Sequence, residues 1–276
     1  MKHILNYGLM VAMVAAVTFT SCSKDNEEDE IELSILPKKV TKIESSDSWG
    51  QTTYEFDSEG RITKTSNNIL SNTIQITYQY TENSVTNGIT SAKWESKNGR
   101  ITSIKYTEST DDGVDEEYGQ MKYSYSADGY LSTMEGTIEG SIIKTTYCVE
   151  NGVVKSISSN IEGDETSILM TNSGSIAVTN ISMTFTYNSK ILNNLNVNIW
   201  NILYDTEPIF GDKLGKRFVQ LPTSYTAAGK IGEEEEGGMS YNFSYEYDGD
   251  YLKKITSIQN YDGETETTTY EIFYEE

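Results

Sequence analysis

Histidine and cysteine, the residues that most often serve as bases, nucleophiles and metal ligands, are almost absent from this chain of 276 residues. The only histidine is His3, and the two cysteines are Cys22 and Cys148. We expect the segment that contains His3 to be removed, so the mature protein would contain no imidazole. This excludes Ser-His-Asp and Cys-His catalysis, histidine-ligated zinc and a histidine pH switch. Cys148 is therefore predicted to be an inert residue within a strand.

Carboxylates are the one abundant group that could carry out acid–base chemistry. Asp and Glu number 42 against 21 Lys and Arg, which gives a net charge of -21. A close pair of carboxylates can hydrolyse a glycosidic bond, so an enzyme acting on polysaccharide is one alternative. However, Glu55, Glu246 and Glu271 alternate with aromatic residues and are expected on the water-facing side of strands. The sequence shows no inward-facing acid, and we predict no catalytic residue.

The acidic composition also bears on partners and metals. Without a basic cluster, nucleic acid is excluded as a partner. Two acidic segments contain the oxygen ligands that calcium prefers, but neither has the spacing of an EF-hand. We expect them to be solvated, the second as a mobile hairpin tip, and we predict no metal site and no cofactor. The segments are Asp111, Asp112, Asp115, Glu116 and Glu117, and Glu233, Glu234, Glu235 and Glu236.

The first 22 residues have the order of an export signal. Lys2 precedes the apolar run Leu9–Val17, which is too short to cross a hydrocarbon core of about 30 Å. Small residues then lead into Cys22, an arrangement that resembles a bacterial lipoprotein signal. The resemblance implies cleavage before Cys22 and acylation of Cys22, for example with palmitate; the alternative is an ordinary secretory signal. We predict residues 1–21 as a signal peptide and Cys22 as the lipid-attachment site.

An acidic stretch, Asp25–Glu30, follows Cys22 and cannot pack into a core. We expect residues 22–39 to form a disordered tether that ends near Pro37. Ser23 and Lys24 followed by acids resemble the export tag of Bacteroidota-type surface lipoproteins, which implies the outer face of the outer membrane. The alternative is a plain spacer on the periplasmic face. Residues 40–276 are predicted to form a single domain.

From Val40 onward the apolar residues alternate with polar ones at a period of two. This pattern is typical of antiparallel strands with one apolar face. It predicts an all-β fold, a single meander of about 14 to 16 strands that curls into a half-barrel or barrel to bury its apolar face. The predicted apolar faces include Ile74, Ile76, Tyr78 and Tyr80; Ile181, Met183, Phe185 and Tyr187; Tyr241, Phe243, Tyr245 and Tyr247; and Tyr270, Ile272 and Tyr274.

The turns repeat as well. Tyr54–Ile62 contains Asp57 and Gly60, and Tyr123–Leu131 repeats the order with Ser126 and Gly129. Asp or Ser at the first turn position accepts a hydrogen bond, and Gly at the fourth takes a positive φ. Looser copies are predicted around further glycines. These are Gly99, Gly152, Gly229 and Gly249.

The first copy, Tyr54-Glu55-Phe56-Asp57-Ser58-Glu59-Gly60-Arg61-Ile62, resembles the YD repeat of bacterial Rhs and wall-associated proteins. Combined with the N-terminal segment, residues 40–276 resemble a family of Bacteroidota lipoproteins of unknown function with a porin-like β fold. This resemblance implies a large curved sheet with aromatic residues on its inner face. Charged strand residues such as Glu55 and Lys64 argue against strands that face lipid.

One segment departs from the alternation. A short helix is predicted near residues 197–203, where it would plug the open side of the sheet. The following Asp205–Leu221 is predicted to be the longest loop and the best candidate for binding a ligand. An exposed Trp49 or Trp94 beside other aromatic residues would favour carbohydrate.

These features together predict a lipid-anchored, non-enzymatic β-sheet protein of the outer membrane, exposed at the cell surface. Its partner would be a glycan, another envelope protein or a host protein. The alternatives are an enzyme that acts on polysaccharide through an Asp/Glu pair and a ligand-free scaffold on the periplasmic face. The ligand-binding residues are not identified by the sequence.

Overall fold

The computed structural model describes most of the chain beyond residue 35. The described residues are 36, 38–48, 50–69, 72–110, 113–162, 167–171, 174–178, 180–203, 208–231, 234–261 and 263–276. Cys22, Trp49, Asp111, Asp112 and Glu233 lie outside them, as do the signal peptide and nearly all of the tether. The predictions that concern those residues therefore remain predictions.

The described part of the chain is almost entirely β-structure, as predicted. The strands are β1 Val40–Ser46, β2 Gly50–Phe56, β3 Ile62–Ile69, β4 Asn72–Thr77, β5 Gln79–Tyr80, β6 Ser84–Thr86, β7 Thr90–Lys97, β8 Arg100–Ser109, β9 Asp115–Tyr125, β10 Leu131–Ile138, β11 Ser141–Glu150, β12 Val153–Glu162, β13 Ser167–Thr171, β14 Gly174–Val178, β15 Asn180–Leu192, β16 Gln220–Ile231, β17 Glu234–Asp248, β18 Tyr251–Tyr261 and β19 Glu264–Tyr274. Two short helices, α1 Ile199–Leu203 and a 3-10 helix Pro208–Leu214, interrupt the strands.

All strands except β13 and β14 belong to one antiparallel sheet of 17 strands. Each strand pairs with its neighbours in the chain, β12 pairs with β15, and β13 and β14 form a separate hairpin. The last strand returns to the first, since β19 pairs with β1 from Tyr274↔Val40 to Thr269↔Ser46. The sheet is thus nearly closed into a barrel, with only two residue pairs joining β5 to β6. Only Tyr78 separates β4 from β5, and counting them as one strand gives 17 − 1 = 16 strands in this sheet; the separate hairpin of β13 and β14 takes the described domain above the predicted range of about 14 to 16.

The inner face of the sheet carries the core. Buried apolar residues recur at every second position along most strands, as in Ile104 and Tyr106 of β8 or Met121 and Tyr123 of β9. They join one continuous cluster with residues from the two helices. The alternation predicted for Tyr241, Phe243 and Tyr245 is confirmed by their packing in this cluster.

Two residues of the predicted apolar faces depart from that arrangement. Tyr247 lies one residue before the end of β17 and is left 43% exposed. The bulge beside it inserts one residue in β18, where Leu252 and Ile255 are three positions apart and both buried. Ile74 keeps the register that follows from the alternation with Ile76 but is 57% exposed. At both positions the burial, and not the alternation of the strand itself, differs from the prediction.

Candidate functional site

Alternate turns of the meander lie at the same end of the barrel, and we call the end that contains Gly60, Gly99, Gly129, Gly152 and Gly249 the capped end. All five glycines have φ between 60 and 93, as the turn motif predicted. At the first of them, Asp57 Oδ1 accepts the backbone N–H groups of Glu59 and Arg61, and Asp57 Oδ2 pairs with the Arg61 guanidinium. This explains the residue order of the motif that resembles a YD repeat.

Gly229 does not form the turn that its sequence context predicts. The residue lies inside β16, which runs on to Ile231, and faces Glu236 of β17 across a bulge. The predicted hairpin tip at Glu234, Glu235 and Glu236 is likewise part of a strand. The strand pairing lengthens both strands because it satisfies backbone groups that a turn at Gly229 would leave unpaired.

The capped end is covered by residues 193–203 and 208–219, which we call the capping segment. Val219 N–H donates to Gly152 O at 2.9 Å, and Lys216 N–H donates to Gly129 O at 2.9 Å. Gly60 packs so tightly against the carbonyl of Asn196 that a side chain would not fit. The predicted plug is confirmed, with the helix beginning at Ile199, because its large side chains are buried in the core. These are Leu195, Val197, Ile199, Trp200, Ile202, Phe210, Phe218 and Val219.

The predicted binding loop, Asp205–Leu221, is therefore not an open excursion. Its described part contains the 3-10 helix and the start of β16, and Phe210, Phe218 and Leu221 are buried. Apolar side chains in this loop stabilise the plug, which is why the loop is long without being exposed. Trp94 is also buried, 5% exposed, with its ring 5.8 Å from that of Phe210. It is not available as a sugar-stacking surface.

Tyrosine hydroxyls bind the capped end together. Tyr125, Tyr187, Tyr245 and Tyr274 each donate to a backbone carbonyl near the start of another strand, namely those of Ile101, Val154, Pro222 and Leu252. Tyr80 does the same at Ile62 and also lies 2.8 Å from Ile209 O in the capping segment. Burial raises the pKa of Tyr80, Tyr187, Tyr245 and Tyr274 above its ordinary value.

Cations rest on aromatic rings at the same end. Arg61 lies 4.6 Å from the ring centre of Tyr80, and Arg100 lies 5.7 Å from that of Tyr125. In the capping segment, Lys213 lies 5.7 Å from the ring of Trp94 and Lys216 lies 5.5 Å from that of Tyr130. Each of the four rings, Tyr80, Tyr125, Trp94 and Tyr130, attracts the cation that lies over it. The side of the cation that faces away from the ring stays open to water or to an anion.

One ion pair within the capping segment joins a largely buried arginine to a carboxylate that is 47% exposed, Asp212. Arg217, whose side chain is 9% exposed, has its Nε 3.1 Å from Asp212 Oδ1. Burial raises the pKa of Asp212, and the guanidinium opposes that shift; burial lowers the pKa of Arg217, and Asp212 opposes it. Among the described residues, the buried side-chain atoms without a hydrogen-bond partner all belong to this segment. They are Asn193 Oδ1, Asn196 Nδ2, Asn198 Oδ1 and Arg217 Nη1.

Rows of charged residues cross neighbouring strands on the outer face of the sheet. Lys122, Glu135 and Lys144 stand side by side on β9, β10 and β11. On the other side of the barrel, Glu246, Lys254, Glu271 and Glu44 follow one another across four strands. A third row runs Lys42, Glu55 and Lys64, with Lys64 Nζ 3.1 Å from Glu55 Oε1. Glu55, Glu246 and Glu271 thus lie on the water-facing side of the sheet, as expected, next to lysines on neighbouring strands.

Glu266 is an inward-facing acid that the sequence analysis missed. It shares the face of Tyr270 and Ile272 on β19, pairs across the sheet with Gln259, and accepts a hydrogen bond from the Ser48 hydroxyl at 2.8 Å. Burial raises the pKa of Tyr241, a hydrogen bond from Tyr225 opposes the shift, and the charge of Glu266 adds to it. The signal was hidden because threonines, and no aromatic residues, surround Glu266 in the sequence.

The remaining predicted residues lie apart from one another. Cys148 is half-buried in β11, opposite Ser156. Asp115, Glu116 and Glu117 belong to β9, and Glu117 Oε2 lies 2.6 Å from Lys105 Nζ. In the described part of the chain, no three His, Cys, Asp or Glu side chains are grouped so that they could hold a metal ion. None of the helices described is long and apolar enough to cross a membrane.

Comparisons with known proteins identify the fold. No protein-family model matches the chain, and no curated protein matches it in sequence. Among solved structures, the chain is similar to a porin-like protein from Bacteroides vulgatus, with 12% sequence identity and a TM-score of 0.56. The match covers 86% of this chain and 99% of that one. The similarity agrees with the expected porin-like β fold.

Proposed function

We propose that the protein is a lipid-anchored, non-enzymatic module of the bacterial outer membrane that stands on the bilayer and faces the cell surface. It serves there as a binding or structural protein, with a glycan, an envelope protein or a host protein as its partner. The observation that carries this proposal is the charged outer face of a nearly closed barrel. It is supported by the sequence of the N-terminal segment through Cys22.

The outer face bears on whether the strands lie in lipid. A Lys or Arg on the lipid face of a barrel costs about 2–4 kcal/mol at the bilayer midplane. Lys122, Lys144 and Lys254 each lie within a strand, three residues from its nearer end, in the rows described above. Because the cost falls toward the bilayer surfaces, several such lysines together would cost an amount comparable with the whole stability of an ordinary domain. The wall therefore favours water, and attachment to the membrane requires an anchor outside the sheet.

The interior favours a role other than transport or catalysis. The capping segment covers one end and places Trp200 and Phe210 in the core. Several outer-face acids pair with lysines, as Glu55 does with Lys64 and Glu117 with Lys105. A non-enzymatic role, unlike catalysis, needs no additional catalytic group.

The anchor is tested by replacing each cysteine in turn and feeding cells an alkyne analogue of palmitate. We expect the native chain and Cys148→Ser to carry the label and to remain in the membrane fraction. Cys22→Ser should lose both the label and its place in the membrane fraction, because the sulfur that would be acylated is absent. Label retained on Cys22→Ser would contradict the proposal.

The surface location is tested by protease treatment of intact cells. The native protein is compared with a variant in which the acids of Asp25–Glu30 become Asn and Gln. We expect digestion of the native domain and protection of the variant. Protection of both until the outer membrane is broken would instead favour a scaffold on the periplasmic face.

A polysaccharide-acting enzyme is the second candidate, and Glu266 favours it. Glu264 lies two residues earlier on the same face of β19, so the two carboxylates are neighbours at the uncapped end. This candidate expects turnover of an envelope or host polysaccharide that Glu266→Gln abolishes and Glu271→Gln, on the outer face, leaves unchanged. No turnover by the native chain would remove it.

A further inference from the structure

The described chain begins at the capped end of the barrel. Leu36 N–H donates to Asn194 O in the capping segment at 3.3 Å, and Val40 N–H donates to Asn196 Oδ1 at 2.7 Å. Lys39 and Glu275 exchange hydrogen bonds through Lys39 N–H to Glu275 Oε1 and Glu275 N–H to Lys39 O. The segment that leads back to Cys22 therefore joins the domain at this end.

The tether alone does not fix how the domain faces a membrane. From Cys22 to Leu36 there are 36 − 22 = 14 residues, which span at most about 50 Å when extended. A strand of 11 residues such as β19 is about 37 Å long. Because the tether is longer than the barrel wall, either end could reach the lipid surface. Charge must decide between them.

The two ends differ in charge. Acids crowd the uncapped end, where Lys93, Lys105 and Lys144 are the nearby cations among the side chains that the structure describes. At the capped end, cations and acids occur in comparable numbers. The uncapped acids are Asp47, Glu108, Asp115, Glu116, Glu117, Glu139, Glu162, Glu264 and Glu266. The capped-end cations are Lys38, Lys39, Lys42, Arg61, Lys64, Lys97, Arg100, Lys155, Lys213, Lys216, Arg217 and Lys253, and the acids are Glu55, Asp57, Glu59, Glu82, Glu95, Asp128, Glu150, Asp212, Glu246, Asp248, Asp250, Glu275 and Glu276.

Several of the capped-end lysines are placed to meet an anion. Lys38, Lys39 and Lys216 are exposed, and Lys213 is half-exposed. Lys213 and Lys216 stand over the rings of Trp94 and Tyr130, which hold the cations in place without neutralising them. A lipid phosphate can approach such an ammonium group from the side opposite the ring.

We propose that the capped end is the membrane-facing surface of the protein and that Lys38, Lys39, Lys213 and Lys216 contact the phosphates of an anionic lipid surface. This inference rests on the lipid anchor proposed above. An anionic surface repels the acidic uncapped end and accepts the lysine-bearing end. The uncapped end, with Glu266 at its mouth, then faces away from the membrane and is the part that a soluble partner meets.

The experiment uses the chain from Cys22 onward with Cys148→Ser, coupled through Cys22 to maleimide-bearing lipid in vesicles. The vesicles contain phosphatidylcholine, with or without phosphatidylglycerol, and lipids with a nitroxide headgroup as quenchers. A fluorescent amino acid replaces either Ala127, exposed in a capped-end turn, or Val114, which is 56% exposed near an uncapped-end turn. We expect several-fold stronger quenching at position 127 in the presence of phosphatidylglycerol. Equal quenching, or stronger quenching at position 114, would overturn the proposal.

Two matched variants test the named lysines. The first carries Lys38→Gln, Lys39→Gln, Lys213→Gln and Lys216→Gln; the second carries Lys105→Gln, Lys122→Gln, Lys144→Gln and Lys254→Gln on the outer face. Each loses four positive charges. Since a lysine near an anionic surface contributes about a fivefold factor, the first variant should lose the difference between the two labels. The second should keep it, and loss in both would assign the effect to net charge and overturn the role of the four lysines.

Failure of this inference is distinguishable from failure of the lipid anchor. The vesicle experiment supplies the lipid chemically, so its result does not depend on acylation in cells. Palmitate labelling without a quenching difference would support the lipid anchor and overturn the proposed orientation. A quenching difference without palmitate labelling would support the membrane-facing lysines and overturn the lipid anchor.

Discussion

At the scale of the residue, the same interaction recurs: a single tyrosine hydroxyl donates a hydrogen bond to the backbone. Tyr187, Tyr245 and Tyr274 come from different strands, yet each donates to a backbone carbonyl near the beginning of another strand. Without the hydroxyl, each carbonyl would be a buried acceptor with no hydrogen bond, which lowers the stability of the fold by about 1–3 kcal/mol. These three tyrosines therefore contribute a hydroxyl group to the fold as well as a ring.

Removing one hydroxyl tests this point. Tyr245→Phe keeps the ring and leaves Pro222 O without its partner. We expect a loss of about 1 kcal/mol in the free energy of unfolding, measured by urea denaturation. The control is Tyr247→Phe, since Tyr247 is 43% exposed, and it should change stability by less than about 0.5 kcal/mol. Equal losses in the two variants would contradict the role of the hydroxyl.

The same tyrosines predict how stability depends on pH. Burial raises the pKa of Tyr80, Tyr187, Tyr245 and Tyr274 in the folded protein, whereas an unfolded phenol ionises near pH 10. The folded state therefore binds more protons than the unfolded state above about pH 10, and stability falls as the pH rises further.

This dependence is measured as the urea midpoint at a series of alkaline pH values, with tyrosinate absorbance recorded in parallel. We expect a constant contribution from these tyrosines below about pH 10 and a progressive loss above it. Tyr187→Phe combined with Tyr245→Phe should make the loss shallower. Tyrosinate absorbance that rises fully before unfolding would contradict the prediction.

At the scale of the element, a turn and the capping segment depend on one glycine. Gly60 has φ 75, which glycine adopts without strain, and its Cα faces the carbonyl of Asn196. Gly249 occupies a turn at the same end with φ 60, but no atom lies within 4 Å of where its Cβ would be. Substitutions at Gly60 and at Gly249 therefore separate the effect of the backbone conformation from the effect of contact with the capping segment.

Alanine at these two positions should give different results. Gly249→Ala is expected to cost about 1 kcal/mol, the price of a left-handed conformation for a residue with a side chain. Gly60→Ala should cost about 2 kcal/mol more, because the backbone at Asn196 must move. Urea denaturation measures both. Equal costs would mean that the capping segment does not press against this turn.

At the scale of the whole molecule, the charged outer face sets the behaviour in water. Rows such as Lys122, Glu135 and Lys144 cross neighbouring strands, and the apolar residues exposed on the wall, Ile142, Ile258 and Phe273, lie on separate strands. A surface with scattered apolar residues and both signs of charge resists association with lipid.

This predicts the behaviour of the chain without its lipid. The chain from Cys22 onward with Cys22→Ser should stay soluble in buffer without detergent and should not raise the conductance of a planar lipid bilayer. Sedimentation and bilayer recording measure the two properties. A requirement for detergent, or a stable conductance step, would contradict the polar wall and would favour a barrel that spans the membrane.

Much of the architecture was predictable from local pattern. The alternation in segments such as Tyr241–Tyr245 specified the strands, and Asp57 with Gly60 specified a turn, because both signals act over a few residues. The inward position of Glu266 was not predictable, since it follows from the register of β19 against Ile272 and Tyr270. The buried state of Phe210 and Phe218 was also missed, because loop composition does not report what a loop packs against.

The sequence by itself determined the shortage of histidine and cysteine, the all-β class and the turns at the capped end. Each follows from composition or from contacts between near neighbours in the chain. The tertiary structure decided that β1 meets β19, that Asp205–Leu221 is largely buried, and that acids gather at the uncapped end. These depend on residues far apart in sequence that approach one another only when the sheet curls, because its apolar face must be removed from water.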